Sequence, residues 1–496
     1  MILKNCDKIM KNITVCYFIV LLLCSMIADA QTTSAMPSKQ TKVFRAGAST
    51  SNITPPLGTP IVGNFVEPLA TQIHDELHAR SLVLDNGTTQ FVFVIVDNVG
   101  IDQEVFNEAK RQIHERTGLP KEHLLMSAIH THSATSAGGE GDRRSGWNYG
   151  KALDEYQSFL ARRISDGVQV AINNLEPARI GWGAGKVPQH LFNRRWKMKE
   201  QVINPFGEQD RVKMNPGIRN PDLVEPAGST DPEVSFISVQ SISGRPIALL
   251  GNYSLHYVGG VPTGDISADY FAVFADRIQE LLKADRQDPP FVAMMSNGTS
   301  ADVNNINVRE PAEKYPPYAK MRIVADDVAK EVFRVYKTIH HQDWVPLRAA
   351  QSQLTLEVRR ATPEMLVIAQ KVLARPDTEK PLYHPLEKAY AKRILQMQKE
   401  WPDKINIILQ TFRIGDLGVA AIPFEVFTEM GLEIKAKSPF KSTFTIELAN
   451  GSYGYLPTPE QHELGGYETW LGTNKVEKNA SRKIVSELLA LFTKLK

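Results

Sequence analysis

The chain has 496 residues, of which 42% are hydrophobic and 23% are charged, and its 57 basic and 55 acidic side chains leave a formal net charge of +2. This length and apolar content allow a large buried core, whereas the balanced, well-mixed charge argues against nucleic acid as a partner. The sequence contains no internal repeats or low-complexity tracts, so we expect an ordinary globular chain.

The first 30 residues have the pattern of an export signal. A lysine-containing start precedes an apolar run at residues 13–23, and an Ala-Asp-Ala cleavage sequence follows at residues 28–30. Because the apolar run is short for a membrane span, we predict cleavage and no transmembrane span in the mature chain. A lipid-anchored form is the secondary interpretation, since residues 21–24 partly resemble a lipoprotein signal.

All three cysteines, Cys6, Cys16 and Cys24, lie within this predicted signal. The mature chain would therefore form no disulfide, and any metal must be held by histidine, carboxylate or tyrosine side chains. An exported protein without cysteine fits a bacterial periplasm or a secreted location. Residues 31–42 are polar and are predicted to be a disordered lead-in, followed by one large domain at residues 43–496.

Apolar patterning predicts strands that alternate with helices after residue 42. The predicted strands include the run before His130 and cover residues 43–53, 81–84, 91–96, 179–185, 234–240, 247–256, 291–295, 354–358, 405–413, 418–422 and 443–448. The predicted helices cover residues 103–117, 154–174, 268–284, 318–339, 363–373, 386–401 and 481–495. The strand at 91–96, the next helix and the strand before His130 form a βαβ unit. We therefore predict an α/β fold of mixed, partly parallel sheets flanked by helices.

Two segments have special predicted roles. The helices at 363–373 and 386–401 are expected to form a lobe or lid with the strand at 354–358. Residues 189–231 lack a predicted element and carry Asn193-Arg194-Arg195-Trp196-Lys197. Loops of this length are usually functional or disordered, and taken alone this one is interpreted as a solvated basic surface loop.

His130 and His132 follow an apolar strand run and are the first candidates for chemistry. Side chains alternate along a strand, so the two imidazoles are predicted to face the same side. One could bind a metal through a neutral ring nitrogen while the other transfers a proton. Ligands bind at the carboxyl ends of strands in such sheets, but an exposed pair of histidines without function is the alternative.

Two further potential metal ligands stand at predicted strand ends. His256 follows the apolar run at residues 247–250, and Glu425 follows a strand and Pro423-Phe424. Two imidazoles and one carboxylate bind zinc and leave a position open for water or substrate. Sequence spacing does not establish that they converge with His130, and a hydrogen-bonded core histidine is the alternative for His256.

Taken in order, these segments resemble the catalytic N-terminal domain of the neutral (non-lysosomal) ceramidase family. The resemblance extends over nearly all of the predicted mature chain, from about Arg45 to Tyr467. Its landmarks are the segment His74 to Arg80, His130-Thr131-His132-Ser133, Asn193-Arg194, His256, Asn297 to Asp302, Pro423-Phe424-Glu425, and Tyr455 to Tyr467. We expect no counterpart of the family's C-terminal immunoglobulin-like domain.

The resemblance implies roles for individual residues. The implied zinc ligands are His130, His256, Glu425 and Tyr455. The residues implied to act around the reacting carbonyl, by proton transfer or by stabilising an oxyanion, are His132, Arg194 and Tyr467. The expected substrate-binding residues are Asn193, Arg195, Asn297, Asp302 and Asn304.

The sequence also departs from the family pattern. Ala301 stands where the family has glycine, and Asn304 stands where ceramidases have a serine proposed to take part in hydrolysis. The loop with Arg194 carries extra cations, namely Arg195, Lys197 and Lys199, which a neutral ceramide headgroup does not require. These differences favour a non-standard substrate, for which an anionic group is one option.

Three functional hypotheses follow. The first is an exported zinc-dependent hydrolase in which metal-activated water attacks an amide or ester of a small-molecule or lipid substrate. The alternative is a carbohydrate-active enzyme, a lyase, dehydratase or glycoside-cleaving enzyme, that uses the metal as a Lewis acid on uronate-containing oligosaccharides. The third is a non-catalytic binding protein on the same scaffold.

Overall fold

The computed structural model describes residues 42–63, 66–138, 147–285 and 287–496. The predicted export signal and residues 31–41 of the predicted lead-in lie outside the described residues. Among the helices that are described, none has both the length and the apolar character needed to cross a bilayer. Residues Val43–Lys496 form one compact unit.

The helices match the predicted positions closely. They are α1 (Gln103–Thr117), α2 (Glu155–Asn173), α3 (Asp269–Leu281), α4 (Ala319–Tyr336), α5 (Pro363–Leu373), α6 (Glu387–Glu400), α7 (Thr428–Lys437), α8 (Pro459–Leu464) and α9 (Ala480–Leu495). Local signals explain such agreement: Asp154 and Gln157 form a capping box that starts α2.

The strands are more numerous than predicted, because short ladders are added to the long ones. They are β1 (Arg45–Asn52), β2 (Ile61–Val62), β3 (Gln72–Ile73), β4 (His78–Asp85), β5 (Gln90–Val96), β6 (Leu124–Ala128), β7 (Ala134–Thr135), β8 (Glu176–Lys186), β9 (Phe192–Asn193), β10 (Arg195–Ile203), β11 (Gln209–Met214), β12 (Leu223–Pro226), β13 (Glu233–Ser241), β14 (Pro246–Tyr253), β15 (Asp265–Ile266), β16 (Val292–Asn297), β17 (Val303–Asn304), β18 (Leu347–Glu357), β19 (Lys404–Ile414), β20 (Leu417–Ala421), β21 (Glu425–Val426), β22 (Ser442–Ile446) and β23 (Tyr455–Leu456).

The largest sheet has eight strands in the order β16-β14-β13-β8-β1-β4-β5-β6. The pairs β5–β6 and β14–β16 are parallel, whereas the other neighbours are antiparallel. The predicted βαβ unit of β5, α1 and β6 is therefore confirmed, and so is the mixed α/β fold. The sheet curls until its edge strands β6 and β16 approach each other. Asn297 at the end of β16 donates a hydrogen bond to the carbonyl of Ile129 at 3.4 Å.

A second sheet has the strand order β18-β19-β20-β22 and packs against the first sheet. Phe412 of β19 contacts Phe91 and Phe93 of β5, with ring centroids 5.0 and 5.4 Å apart. Helix α9 packs on β18 and β19. The predicted strands at residues 405–413 and 418–422 correspond to β19 and β20, which form an antiparallel pair.

The helices α5 and α6 do not form a separate lid. Their apolar residues, including Val372, Tyr390 and Ile394, are buried in a core shared with β19 and α9. This core lies apart from the one that fills the large sheet. The two helices form a lobe with the predicted strand at residues 354–358, because Leu356 and Val358 belong to the same core, and the lid alternative is wrong.

The prediction of a solvated loop at residues 189–231 is also wrong. The segment contains β9 to β12, and β10 lies between β11 and β12 in a three-stranded antiparallel sheet. Trp196 is buried, whereas Lys199 and Glu200 are exposed. The many charged side chains on the solvent side of these short strands conceal the pattern that apolar residues would otherwise show.

Candidate active site

Three imidazoles meet beyond the carboxyl ends of β6 and β14. The Nε2 atom of His130 lies 3.1 Å from Nε2 of His256 and 3.2 Å from Nε2 of His132. Each of the three residues offers one ring nitrogen as a potential ligand atom, and these three nitrogens lie within 4.8 Å of one another. The curl of the large sheet produces this meeting, because it brings the ends of strands near opposite edges together.

His130 reaches the cluster by a turn and not by strand alternation. Strand β6 ends at Ala128, and His130 has a left-handed backbone with φ of 71°. The expectation that the pair faces one side because it lies on a strand is therefore wrong, although both side chains do reach the cluster. A left-handed histidine is uncommon and often marks a functional position. The Nδ1–H of His130 donates to the carbonyl of Val99 at 2.6 Å, which leaves the Nε2 lone pair directed into the cluster.

His256 is oriented in the same way from a different loop. Its Nδ1–H donates to the carbonyl of Ser300 at 3.2 Å. Ser300 is held in turn by Glu447, which lies 2.7 Å from the serine hydroxyl and accepts a 3.3 Å hydrogen bond from its amide. Such hydrogen bonds to the distal ring nitrogen fix the tautomer of metal-binding histidines.

Glu447 is a site residue that the sequence interpretation missed. It is fully buried, accepts a 2.7 Å hydrogen bond from the amide of Val426, and burial raises the pKa of its carboxyl group to about 8. A signal was available, because Glu447 directly follows the apolar strand β22 just as the predicted ligands follow theirs.

Glu425 completes the cluster from the second half of the chain. Its Oε2 atom lies 3.3 Å from Nε2 of His130 and 3.9 Å from Nε2 of His256. This oxygen is buried and has no hydrogen-bond partner within the described part of the chain. The parallel ladder of β21 and β23 places Glu425 directly beside Tyr455.

The protonation of two of the three imidazoles and of the carboxylate suits ligand chemistry. Burial and the neighbouring His130 hold the pKa values of His132 and His256 well below the usual value, so both rings are neutral. Burial opposes protonation of His130 as well, but the carboxylate of Glu425 raises its pKa. Burial would raise the pKa of Glu425, yet its pairing with His130 lowers it overall. Neutral imidazoles and an ionised carboxylate are the forms that bind a metal.

The spacing of these atoms fits a small tetrahedral cation. Zinc binds nitrogen and oxygen ligands at about 2.0–2.1 Å, so tetrahedral ligand atoms stand about 3.3 Å apart. The observed separations from Nε2 of His130 are 3.1, 3.2 and 3.3 Å to His256, His132 and Glu425, and His256 lies 3.9 Å from Glu425. The unpartnered carboxylate oxygen of Glu425 points into this space. His132 is thus placed where it could either bind a cation or exchange a proton beside one.

Arg194, Tyr455 and Tyr467 lie on one side of the cluster. The guanidinium of Arg194 donates to the Tyr455 hydroxyl at 3.0 Å and to Glu468 at 2.9 Å. The rings of Tyr455 and Tyr467 meet edge to face with centroids 5.8 Å apart. Burial raises the pKa of Tyr455 well above its usual value, and Arg194 opposes that effect.

The predicted substrate-binding residues near Arg194 are engaged within the protein. Arg195 is fully buried, and its guanidinium pairs with Glu468 at 2.5 Å. The Asn193 side chain donates to Asp302 at 2.8 Å, and Asp302 also accepts hydrogen bonds from the amide and hydroxyl of Thr428. These contacts hold the segment that presents Arg194. Glu468 had no signal in the sequence beyond its position next to Tyr467.

The other two predicted substrate-binding residues are likewise engaged in the fold. The Asn304 side chain donates to Asn215 at 2.8 Å and accepts from the amide of Ile306 at 3.0 Å. Asn297 is buried beside Ile129, and its Oδ1 atom has no hydrogen-bond partner in the part of the chain that the structure describes. Both residues therefore shape the loops around the histidine cluster.

A cavity of about 220 Å³ opens onto the cluster. The predicted site residues that line it are His130, His132, Glu425, Tyr455 and Tyr467. Its other charged lining residues are Glu67, Asp102, Arg393 and Lys475. His132 stacks on Tyr257 at 3.8 Å, and Gly63 packs so closely that a Cβ atom there would lie 2.7 Å from Cγ of His132. The imidazole is thus clamped at the edge of the cavity.

Comparisons with known proteins agree with this description. Residues 44–314, more than half of the chain, match a model of the N-terminal domain of neutral/alkaline non-lysosomal ceramidases. The fold is similar to a crystal structure of neutral ceramidase from Pseudomonas aeruginosa, with a TM-score of 0.65, 16% sequence identity, and coverage of 92% of this chain and 74% of that one. A second structure, described as ceramidase complexed with C2, has the same TM-score and identity and is covered over 75% of its length. The matched range contains the three histidines, whereas Glu425, Tyr455 and Tyr467 lie beyond it.

Proposed function

Because the chain belongs to the neutral/alkaline non-lysosomal ceramidase family, a family of hydrolases that act on lipid substrates, we propose that it is a zinc-dependent hydrolase of an acyl amide or ester bond. One observation carries the proposal. Three imidazole nitrogens and a buried carboxylate oxygen without a hydrogen-bond partner converge at the end of a cavity. Retained metal ligands beside an open cavity are typical of catalytic sites.

The proposed zinc ligands are His130, His256, Glu425 and Tyr455. The nitrogen and carboxylate donors suit zinc better than calcium or magnesium, which prefer oxygen. When bound, zinc would lower the pKa of a water molecule and polarise a carbonyl group. The carbonyls of Val99 and Ser300 hold two of the imidazoles in the required tautomer.

The proposed role of His132 is proton transfer. Its Nε2 atom lies 3.2 Å from Nε2 of His130, and its stacking on Tyr257 keeps the ring at the cavity wall. Arg194 would act through Tyr455, whose hydroxyl it contacts at 3.0 Å. Tyr467 lines the cavity and could donate to an oxyanion that develops on the substrate.

The residues predicted to bind substrate are proposed instead to support the site. Asn193, Arg195 and Asp302 hold the segment with Arg194, and Asn297 and Asn304 hold the loops around the histidines. None of the five belongs to the described lining of the cavity. The proposed hydrolysis does not use a side chain at position 304.

The cation-rich segment after Arg194 no longer supports an anionic or sugar substrate. Arg195 pairs with Glu468, Lys197 pairs with Glu225 at 2.8 Å, and Lys199 donates to the carbonyl of Pro221 at 2.7 Å. The carbohydrate-active alternative rested on these cations and on the missing serine, and no comparison favours it. We retain the expectation of an exported protein, periplasmic or secreted, from the signal pattern of residues 1–30.

The decisive experiment compares zinc-depleted and zinc-loaded protein on N-acyl and O-acyl lipid substrates. Zinc should restore hydrolysis. His130→Ala should lose bound zinc and more than about 100-fold of the activity, beyond the loss typical of residues that only orient a ligand. His340→Ala, an exposed histidine, is the matched control. Zinc content and acyl hydrolysis that survive His130→Ala would disprove the proposal.

A further inference from the structure

Arg393 is a cation of the catalytic cavity that the proposed mechanism does not use. It lies on α6, is half-buried, and lines the same cavity as His132 and Tyr467. Arg194 and Arg195 share the carboxylate of Glu468. Within the described residues, by contrast, Arg393 forms no ion pair and no hydrogen bond. Its guanidinium makes a cation–π contact with the ring of Tyr390.

The protein holds this guanidinium in place. The Cζ atom of Arg393 lies 4.7 Å from the centroid of the Tyr390 ring, and the Tyr390 hydroxyl is hydrogen-bonded to Thr473. Gly472 has φ of 97°, and a Cβ atom there would lie 2.6 Å from Cδ of Arg393. The absence of a side chain at Gly472 thus leaves room for the aliphatic part of Arg393, and the Tyr390 ring supports its guanidinium. A side chain that is already held in place loses less conformational entropy when a ligand binds.

The carboxylates around the cavity have other partners. Glu425 faces His130, and Asp102 accepts a 3.0 Å hydrogen bond from Asn148. Glu67 lies in the wall as well and is likewise engaged in a contact. A second cation, Lys475, stands 5.0 Å over the ring of Trp401 in the same wall. Arginine is suited to bind carboxylate or phosphate through two parallel hydrogen bonds, and Arg393 has no such partner among the residues that the structure describes.

We propose that Arg393 binds an acidic group of the substrate and so selects acyl amides or esters that carry a carboxylate or a phosphate. The inference rests on the proposed hydrolase function and adds the substrate class to it. Arg393 lies beyond residue 314, where the match to the ceramidase domain model ends. It replaces Arg195 as the residue that would recognise a negative charge.

The test uses zinc-loaded protein and three amides with the same acyl chain. The first is a neutral N-acyl amino alcohol, the second is the same molecule phosphorylated on its hydroxyl, and the third is an N-acyl amino acid. The wild type should prefer one or both acidic substrates in kcat/KM, and the two acidic forms distinguish phosphate from carboxylate. Arg393→Gln should raise KM for the preferred acidic substrate about 10- to 100-fold, the scale of a hydrogen bond to a charged group, with little change in kcat.

Two variants separate charge recognition from a structural role. Arg393→Lys keeps the charge and should retain part of the preference. Lys392→Gln removes a cation from the neighbouring, exposed position of α6 and should behave as the wild type. An equal loss on neutral and acidic substrates, or a wild type that prefers the neutral amide, would overturn the inference and leave the hydrolase proposal intact.

If none of the three amides is cleaved, the hydrolase proposal fails and a binding measurement decides the inference. Calorimetric titration of zinc-loaded protein with inorganic phosphate should then show weaker binding to Arg393→Gln than to Lys392→Gln. Equal binding to the two variants would overturn the inference, provided that both unfold at the temperature of the wild type.

Discussion

Lys110 illustrates how single residues of this protein depart from their behaviour in water. The side chain is buried on α1, and its ammonium group donates to Oδ1 of Asn450 at 2.7 Å. Asn450 donates in turn to Gln410 at 2.8 Å, which links α1 to the second sheet. Burial lowers the pKa of Lys110 to about 7. The lysine at the centre of this network therefore loses its charge near neutral pH.

This shift predicts a pH dependence of stability. Between pH 7 and the usual lysine pKa the folded chain has released a proton that the unfolded chain keeps, so the free energy of unfolding should rise with pH by up to about 1.4 kcal/mol per unit. Lys110→Met should flatten that rise. Urea unfolding at pH 7 and pH 9 measures it, with the exposed Lys121→Met as control. An unchanged pH profile in Lys110→Met would contradict the shift.

At the scale of elements, Glu468 ties β10 to the turn that follows α8. Its two carboxylate oxygens accept hydrogen bonds from Arg194 at 2.9 Å and from Arg195 at 2.5 Å. Arg195 also donates to the carbonyl of Gly465 at 2.7 Å. This buried carboxylate and its two arginines thus link the three-stranded sheet to the segment that contains Tyr467. The same contact holds Arg194 in position.

Removal of one arginine should destabilise the protein through this contact. Arg195→Met would leave Glu468 buried with Arg194 alone, and we expect a loss of about 3 kcal/mol in the free energy of unfolding, the low end for a broken buried pair. Lys197→Met removes a surface ion pair of the same strand and should cost less than about 1 kcal/mol. Urea denaturation compares the two, and equal losses would show that burial of the pair is not what matters.

At the scale of the whole molecule, the candidate metal site joins residues that follow strands of two different sheets. His130 and His256 follow strands of the large sheet, whereas Glu425 and Tyr455 follow strands of the second sheet. A cation bound to both sets would therefore connect the two sheets. Binding to the folded chain alone stabilises it by mass action.

Removal of zinc should consequently lower the melting temperature. At a zinc concentration of 100 to 1,000 times the dissociation constant, bound metal would contribute about 2.7–4.1 kcal/mol. Thermal unfolding with a chelator should show the loss, and added zinc should reverse it. Magnesium should not, because it prefers oxygen ligands. A melting temperature that is the same with and without chelator would count against zinc as a resident ion.

The sequence by itself determined the elements and the chemical types at the site. Apolar patterning predicted β5, β19, β20 and α1, because such patterns depend on neighbours within one element. The same local reading selected His130, His256 and Glu425, since strand ends can be recognised without knowing the fold. It missed β10 to β12, whose charged outer faces hide their alternation.

Only the tertiary structure decided which of these residues meet. The curl of the large sheet brings His130 to His256, a left-handed turn and not strand alternation aims His130, and burial pairs Arg195 with Glu468. Arg393 reaches the catalytic cavity because α6 packs into the second core. Contacts between residues so far apart in the chain depend on how sheets and helices pack over one another, and spacing along the sequence does not encode that packing.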